Sequence, residues 1–214
     1  MLKAGGSWTS FFDRAADLLY PRKCPLCGLF AESSPCPACR DEFIESDPRM
    51  AAGKEGAALD YRLTLFRYEG RAGQAVRALK YGRSTSLAAA MSREIQAVIE
   101  EFGLDVDAIV PVPIHWSRRC SRGFNQSELL CERLTAQPEI LARVRRTRPQ
   151  AGLSREERER NLLNAFRVRG DLSGQRIMLV DDVLTSGQTA RECAKVLRLA
   201  GAAEVGIVAF CGDA

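Results

Sequence analysis

Two clusters of side chains in this 214-residue chain combine residue types and spacings that can do chemistry. The first is the run Ile177-Met178-Leu179-Val180-Asp181-Asp182-Val183-Leu184-Thr185-Ser186-Gly187-Gln188-Thr189. Its apolar start reads as a buried strand, and two adjacent carboxylates stand at the C-terminal end, where open α/β sheets gather ligands. Thr185, Ser186 and Thr189 supply hydroxyl donors, and Gly187 allows close approach to the backbone. The free N–H groups of a helix starting near Ala190 favour an anion, so the loop is a phosphate cradle. Carboxylates beside it accept from sugar hydroxyls, and together the two halves read a ribose and its 5-phosphate. The second cluster is Cys24-Pro25-Leu26-Cys27-Gly28, then Cys36-Pro37-Ala38-Cys39, a C-x2-C-x8-C-x2-C pattern. Two-residue spacing lets both thiolates of a knuckle reach one metal, and two knuckles make a closed tetrahedral site, the pattern of structural zinc. Gly28 suits the positive φ of the first knuckle, whereas Arg40 stands where a second knuckle glycine would be.

Rival readings of both clusters are weaker. A Walker nucleotidase also ends a strand with acids, but no G-x-x-x-x-G-K-[ST] occurs in the chain. A phospho-acceptor receiver domain needs most of its fold after the acids, and only thirty-two residues follow Asp182. A strand leading to an N-capped helix accounts for Thr185 or Ser186 but leaves two carboxylates at a buried strand end unexplained. Disulfides are disfavoured in a reducing compartment, and a thioredoxin-like redox pair lacks its βαβ surroundings. Of the other cysteines, Cys131, Cys193 and Cys211 sit in apolar periodic segments and read as packing residues, with Cys120 outside them.

The elements that must position these groups alternate. YRLTLFRYEG, DAIVPVP, RIMLVDDV and EVGIVAF are strand-like; RAGQAVRALKYG, LAAAMSREIQAVIEEFG, QSELLCERLTAQ and TARECAKVLRLAG are helix-like. That order predicts an α/β domain over 61–214 with a mainly parallel sheet flanked by helices. Residues 20–45 form a small cysteine module, 46–60 a linker, and 1–19 an amphipathic helix carrying Trp8, Phe11, Phe12, Leu18 and Leu19. Asp13, Arg14 and Asp17 interrupt what a secretory signal would need, and no apolar run approaches a membrane span, so a cytoplasmic protein is expected. Thirty-one Lys and Arg against twenty-seven Asp and Glu leave a net charge of +4, so any nucleic-acid affinity must come from local patches. A single histidine, His115, excludes mechanisms built on several; it is given no role.

With these residues in view, LVDDVLTSGQT resembles the phosphoribosyl pyrophosphate signature of type I phosphoribosyltransferases. The chain as a whole resembles the competence ComF family through LLYPRKCPLCG, ALKYGR, VPVPIHWSRRCSRGFNQSELL and QAGLSREERERNLLNAF. The resemblance implies a type I phosphoribosyltransferase-like fold behind an N-terminal zinc ribbon. It implies that Asp181 and Asp182 bind the ribose 2- and 3-hydroxyls, and that Thr185, Ser186, Gly187, Gln188 and Thr189 hold the 5-phosphate. Arg118, Arg119, Arg122, Gly123, Asn125 and Gln126 would face pyrophosphate, and arginine forks suit phosphate oxygens, although a solvated basic loop also explains Arg118 and Arg119. Residues 150–161 correspond to the family's mobile loop, with Arg158 and Asn161 as ligand candidates; Glu156 and Arg160 at i,i+4 also fit a solvated helix. Lys80, Tyr81 and Gly82 match a family element with no derivable role and also fit a plain helix stop.

Two functions follow from the resemblance. One is an enzyme that takes phosphoribosyl pyrophosphate with Mg²⁺ and transfers phosphoribosyl to an unspecified acceptor, with no catalytic residue named. The other is a protein that handles single-stranded DNA beside a competence helicase, with Arg118–Arg122 and Arg143–Arg148 tracking the backbone and the phosphoribosyl pyrophosphate site acting as a ligand sensor.

Overall fold

In the computed structural model, which describes residues 22–46, 51–52, 58–82, 84–146, 162 and 164–213, the expected alternation closes on one sheet. The elements run α1 (Pro37–Asp41), β1 (Ala51–Ala52), β2 (Tyr61–Arg67), α2 (Gly70–Tyr81), a 3-10 turn (Thr85–Leu87), α3 (Ala88–Glu101) and β3 (Ala108–Pro111). They continue with α4 (Trp116–Arg122), α5 (Gln126–Leu130), β4 (Leu141–Arg143), β5 (Phe166–Val168), β6 (Arg176–Leu184), α6 (Gln188–Leu199) and β7 (Glu204–Gly212). Among the described residues the sheet order is β1-β2-β7-β6-β3, parallel except for β1, while β4 and β5 form a separate antiparallel pair. No described helix is long and apolar enough to cross a membrane.

β6 and β7 are central because they are apolar on both faces, the composition a covered parallel sheet requires. Odd-numbered Ile177 and Leu179 pack with Ile207, Cys193 and Leu197 toward α6 and the β4-β5 pair. Even-numbered Met178 and Val180 pack with Val208, Phe210, Leu79 and Met91 toward α2 and α3. The core therefore has two halves, and residues 181 and 182 continue the alternation, one toward each side.

The cysteine module docks on the second half. Arg40 holds Glu94 of α3 through two hydrogen bonds, 2.5 and 2.9 Å, and its guanidinium lies over the Phe43 and Phe66 rings at 5.4 and 4.7 Å. Phe43 and Phe66 pack edge-on at 5.3 Å, and Phe210 completes the cluster. Arg71, in the first turn of α2, donates to Glu42 and to the Leu26 carbonyl, each at 3.1 Å.

Four local expectations change. The acid-bearing strand does not end at its carboxylates; β6 runs on to Leu184 because Val183 and Leu184 pair with Cys211 and Gly212 of β7. The segment read as a linker, 46–60, is partly built into the sheet: the Ser46 N–H donates to the Leu65 carbonyl, β1 pairs with β2, and Leu59 is buried. The helix expected over 126–137 stops at Leu130, after which Ala136 bridges Ile109 and the Gln137 N–H donates to the Ile109 carbonyl at 2.8 Å. Pairing with β3 overrides local helical spacing. Residues 116–122, for which the sequence pattern gives no element and a solvated basic loop is the alternative at Arg118 and Arg119, form α4, which buries no side chain and is defined by its ends. The His115 ring accepts from the Ser117 N–H at 3.2 Å, and Gly123, at φ +91°, closes the last turn. The expected helix 1–19, the loop residues Arg158 and Asn161, and Arg148 lie outside the described residues.

Gly206 shows how tightly β2 and β7 are fitted: a Cβ there would fall inside the Tyr61 ring. Gly206→Ala is expected to destabilise the fold by about 1–3 kcal/mol through overpacking. Combining it with Tyr61→Leu should cost less than the sum of the single changes, as urea unfolding of the four proteins would measure.

Candidate functional site

Adjacent residues on a strand project to opposite sides, so Asp181 and Asp182 cannot share one set of partners. Asp182, 2% exposed, turns toward α2 and meets Lys80 Nζ at 2.8 Å. Asp181 accepts from the Ser127 hydroxyl of α5 and from the Asp182 N–H, both at 2.9 Å. A cleft of about 450 Å³ opens beside the pair, at the C-terminal ends of β3 and β6. Its walls are Lys80 and Tyr81 from α2, Val112, Pro113 and Ile114 after β3, and Arg118, Ser121 and Arg122 from α4. Gln126, Arg143 and Thr189 complete it with the two acids and Val183.

The cleft is positive apart from its two carboxylates. Burial alone would depress the Lys80 ammonium, but the Asp182 carboxylate, with help from Asp181, more than offsets this and holds its pKa above the ordinary lysine value. Arg143 moves the opposite way, lowered first by burial and then by neighbouring Arg118; its guanidinium also lies over Phe166 at 5.3 Å. Asp181 is pushed up to about 7, first by burial and then by the Asp182 carboxylate, against the pull of Lys80. Like charges gathered in a concave site favour an anion, and a carboxylate held near neutrality can donate as well as accept.

Of the residues singled out from the sequence, Asp181, Asp182, Thr189, Arg118, Arg122 and Gln126 line this cleft. Arg122 hydrogen-bonds Gln126 and lies over the Tyr81 ring at 5.7 Å. Thr185 and Ser186 are exposed on the loop between β6 and α6, and Gly187 begins α6 at φ +68°. The Gln188 amide faces along its own helix, donating to Glu192 at 3.3 Å and accepting from Arg191 at 2.8 Å. Arg119 is paired with Glu128 at 2.6 Å, and with Asn125 it borders a neighbouring cavity of about 250 Å³. Buried Asn125 works for the fold: its amide donates to the Val112 carbonyl at 3.1 Å, and its oxygen caps α5 by accepting from the Ser127 N–H at 3.1 Å. Gly123 supplies the left-handed turn that joins α4 to α5.

Lys80, Tyr81, Ser127 and Arg143 are in the site without having been assigned to it. ALKYGR marked the first two, yet a helix stop accounted for them equally well. Arg143 belongs to a basic run whose composition gives no hint that its first arginine turns inward. Ser127 lies one residue past the RGFNQ segment, and only the α5 cap aims it at Asp181.

The cysteine quartet is assembled as the spacing requires: the sulfurs of Cys24, Cys27, Cys36 and Cys39 all lie within 4.8 Å of one another. Gly28 takes φ +76°, and its N–H donates to the Cys24 carbonyl at 2.8 Å. Burial would raise the Cys24 thiol, but N–H groups of Cys36, Leu26 and Cys27 directed at its sulfur bring it down to about 6. Cys39, buried against the other three sulfurs, is pushed up to about 12. A site that favours thiolate at one position and crowds sulfurs at another fits a four-coordinate thiophilic cation, and the cluster can hold zinc.

Residues 84–214 match the family model of the phosphoribosyl transferase domain. The chain is 35% identical over 201 residues to the DNA utilization protein YhgH of Escherichia coli K12, covering 88% of this chain and 83% of that protein. It is 39% identical over 108 residues to competence protein F of Haemophilus influenzae, covering 46% and 47% of the two chains. It is 34% identical over 96 residues to competence protein ComFC of Streptococcus pneumoniae, covering 45% and 44%. The chain belongs to the ComF family. Its fold is accordingly the type I phosphoribosyltransferase fold, and this ComF protein carries the four-cysteine cluster of a zinc ribbon ahead of it.

The raised Asp181 carboxyl has a pH signature. Its folded-state pKa of about 7 lies above its ordinary 3.8, so the fold holds a proton that the unfolded chain releases. The stability this contributes is full below about pH 4 and is lost as pH rises through about 7. Relative to Asp181→Asn, the ligand-free protein should lose stability across that window, which urea midpoints measured at each pH would check.

Proposed function

We propose that this ComF protein binds phosphoribosyl pyrophosphate in the cationic cleft and transfers its ribosyl phosphate to an acceptor. The observation carrying this reading is the pair of partnered carboxylates facing Arg118, Arg122 and Arg143 across a cleft at the strand ends. Asp181 and Asp182 take the ribose 2- and 3-hydroxyls, and the loop Thr185 to Thr189 takes the 5-phosphate at the start of α6. Arg118, Arg122 and Gln126 receive the pyrophosphate, while Arg119, Gly123 and Asn125 shape the turn that presents them. In the transfer, the bond from the anomeric carbon to the diphosphate oxygen breaks and its electron pair leaves with pyrophosphate. The acceptor nucleophile then forms the new bond to that carbon. Guanidiniums at the leaving oxygens stabilise the charge that develops there.

Arg158 and Asn161 are assigned to a loop closing over substrate on family resemblance. Magnesium belongs to this reading as the diphosphate's partner ion, since it prefers phosphate oxygens and water to a protein cage. Cys24, Cys27, Cys36 and Cys39 hold a structural zinc in a module spanning 20–45, ahead of the phosphoribosyltransferase-like domain at 61–214. Reduced thiols at such a site suit the cytoplasm.

Calorimetry with phosphoribosyl pyrophosphate and Mg²⁺ tests the site. Asp181→Asn/Asp182→Asn is expected to bind about 10–100-fold more weakly than the native chain, the worth of hydrogen bonds to charged acceptors. Equal binding by both proteins would overturn the assignment.

A second reading, handling of single-stranded DNA beside a competence helicase, draws support from the names of the relatives and from exposed Arg145 and Arg146 after β4. Arg143 is withdrawn from that cluster because it faces the cleft. If these arginines meet phosphates, Arg145→Ala/Arg146→Ala should flatten the salt dependence of oligonucleotide binding by a slope of about 1–2. An unchanged slope removes them from any DNA interface.

A further inference from the structure

The acid pair already has a cation. Lys80 Nζ stands 2.8 Å from Asp182 Oδ2, with side-chain exposures of 18% and 3%, so the contact is largely closed to solvent. The lysine is firmly aimed: Val76 and Leu79, in the same helix, are fully buried in the core under α2. The other carboxylate is engaged too, because Asp181 Oδ1 accepts from both the Ser127 hydroxyl and the Asp182 N–H. Asp181 and Asp182 are the only acids among the residues lining the cleft. Each carboxylate already has its own partners, Lys80 at Asp182 and the Ser127 hydroxyl and Asp182 N–H at Asp181, whereas Mg²⁺ demands near-ideal octahedral geometry and short oxygen distances. A divalent ion at Asp182 would also meet the Lys80 ammonium as a like charge at close range in a buried setting. The residues present therefore do not fit a metal seat at the acid pair, although they suit a diol, whose hydroxyls donate to carboxylates without displacing a cation.

We propose that Lys80 is the resident cation of the acid pair, filling the place of a divalent ion at Asp182, so that the cleft admits magnesium only as the partner of an incoming diphosphate. The metal-exclusion half stands on geometry alone; the diphosphate half rests on the phosphoribosyl pyrophosphate reading. Lys80 is in these terms a positioning residue, holding the Asp182 carboxylate in place for the sugar.

Mn²⁺ is a direct probe, because its free-ion paramagnetic resonance signal disappears on binding. The full zinc-loaded chain should leave added Mn²⁺ free at the cleft. Lys80→Met should take up Mn²⁺ with affinity about tenfold or more above the native chain, once the like charge is removed. Lys80→Met/Asp182→Asn should return to the native level. Lys80→Met binding no more Mn²⁺ than the native chain would overturn the proposal. Should Lys80→Met not fold, the native chain decides: Mn²⁺ uptake that Asp182→Asn abolishes sinks the idea, and absence of such uptake supports it. Adding inorganic pyrophosphate separates the two readings. Mn²⁺ retained with the protein on ultrafiltration only when pyrophosphate is present, beyond the level seen with pyrophosphate and no protein, supports both halves. If pyrophosphate and ribose 5-phosphate both fail to bind, the substrate reading falls while metal exclusion by Lys80 stands.

Discussion

A carboxylate near the C-terminal end of a strand covered on both faces needs a partner, because an uncompensated buried charge is among the costliest defects a fold can carry. Asp182 is in that position, and Lys80 is its answer. Much of the molecule is arranged to deliver the ammonium to that spot. α2 must lie across the β2-β7 side of the sheet, its last turn must reach the end of β6, and its buried stripe of Ala72, Ala75, Val76 and Leu79 fixes both translation and rotation. Asp181, freed from that task by strand alternation, takes its support from α5. One dipeptide is thus tied to two helices, α2 through Lys80 and α5 through Ser127.

The division of labour along 115–130 follows from the same demand for order around a charged site. His115, Gly123 and Asn125 spend their side-chain or backbone freedom on turning the chain: a cap, a left-handed stop and a second cap. That leaves Arg118, Arg122 and Gln126 facing the cavity. α4, which buries no side chain, is not held by core packing, so capping does there the work that burial does elsewhere.

Legibility in the sequence tracked this difference. Runs such as IMLV and VGIVAF announce central strands because burial on both faces admits little else, and the cysteine spacing announces a knuckle pair because the geometry of a tetrahedral ion is unforgiving. The acid pair and its glycine were legible for the same reason: few roles suit those types at a strand end. What the sequence did not disclose depended on direction in space. Arg143 and Arg145 look alike in a basic run, yet one turns inward and the other stays exposed. α4 has no periodicity to detect, and the expected helix after Gln126 yields to a pairing with Ile109 that no local pattern encodes. Lys80 sat in a motif whose helix-ending geometry was a sufficient explanation until its partner, about a hundred residues away, came into contact.

The two ends of α2 have different attachments. Its first turn is tied through Arg71 to the Leu26 carbonyl inside the cysteine knuckle, and its last turn carries Lys80. Twelve residues of helix make a strut of about 18 Å, stiff at the scale of side-chain contacts. The knuckle and the acid pair therefore share one mechanical member, so any shift that the cysteine module transmits along the helix axis becomes a shift of the ammonium relative to Asp182. The small module and the acid pair are thus braced against opposite ends of the same helix.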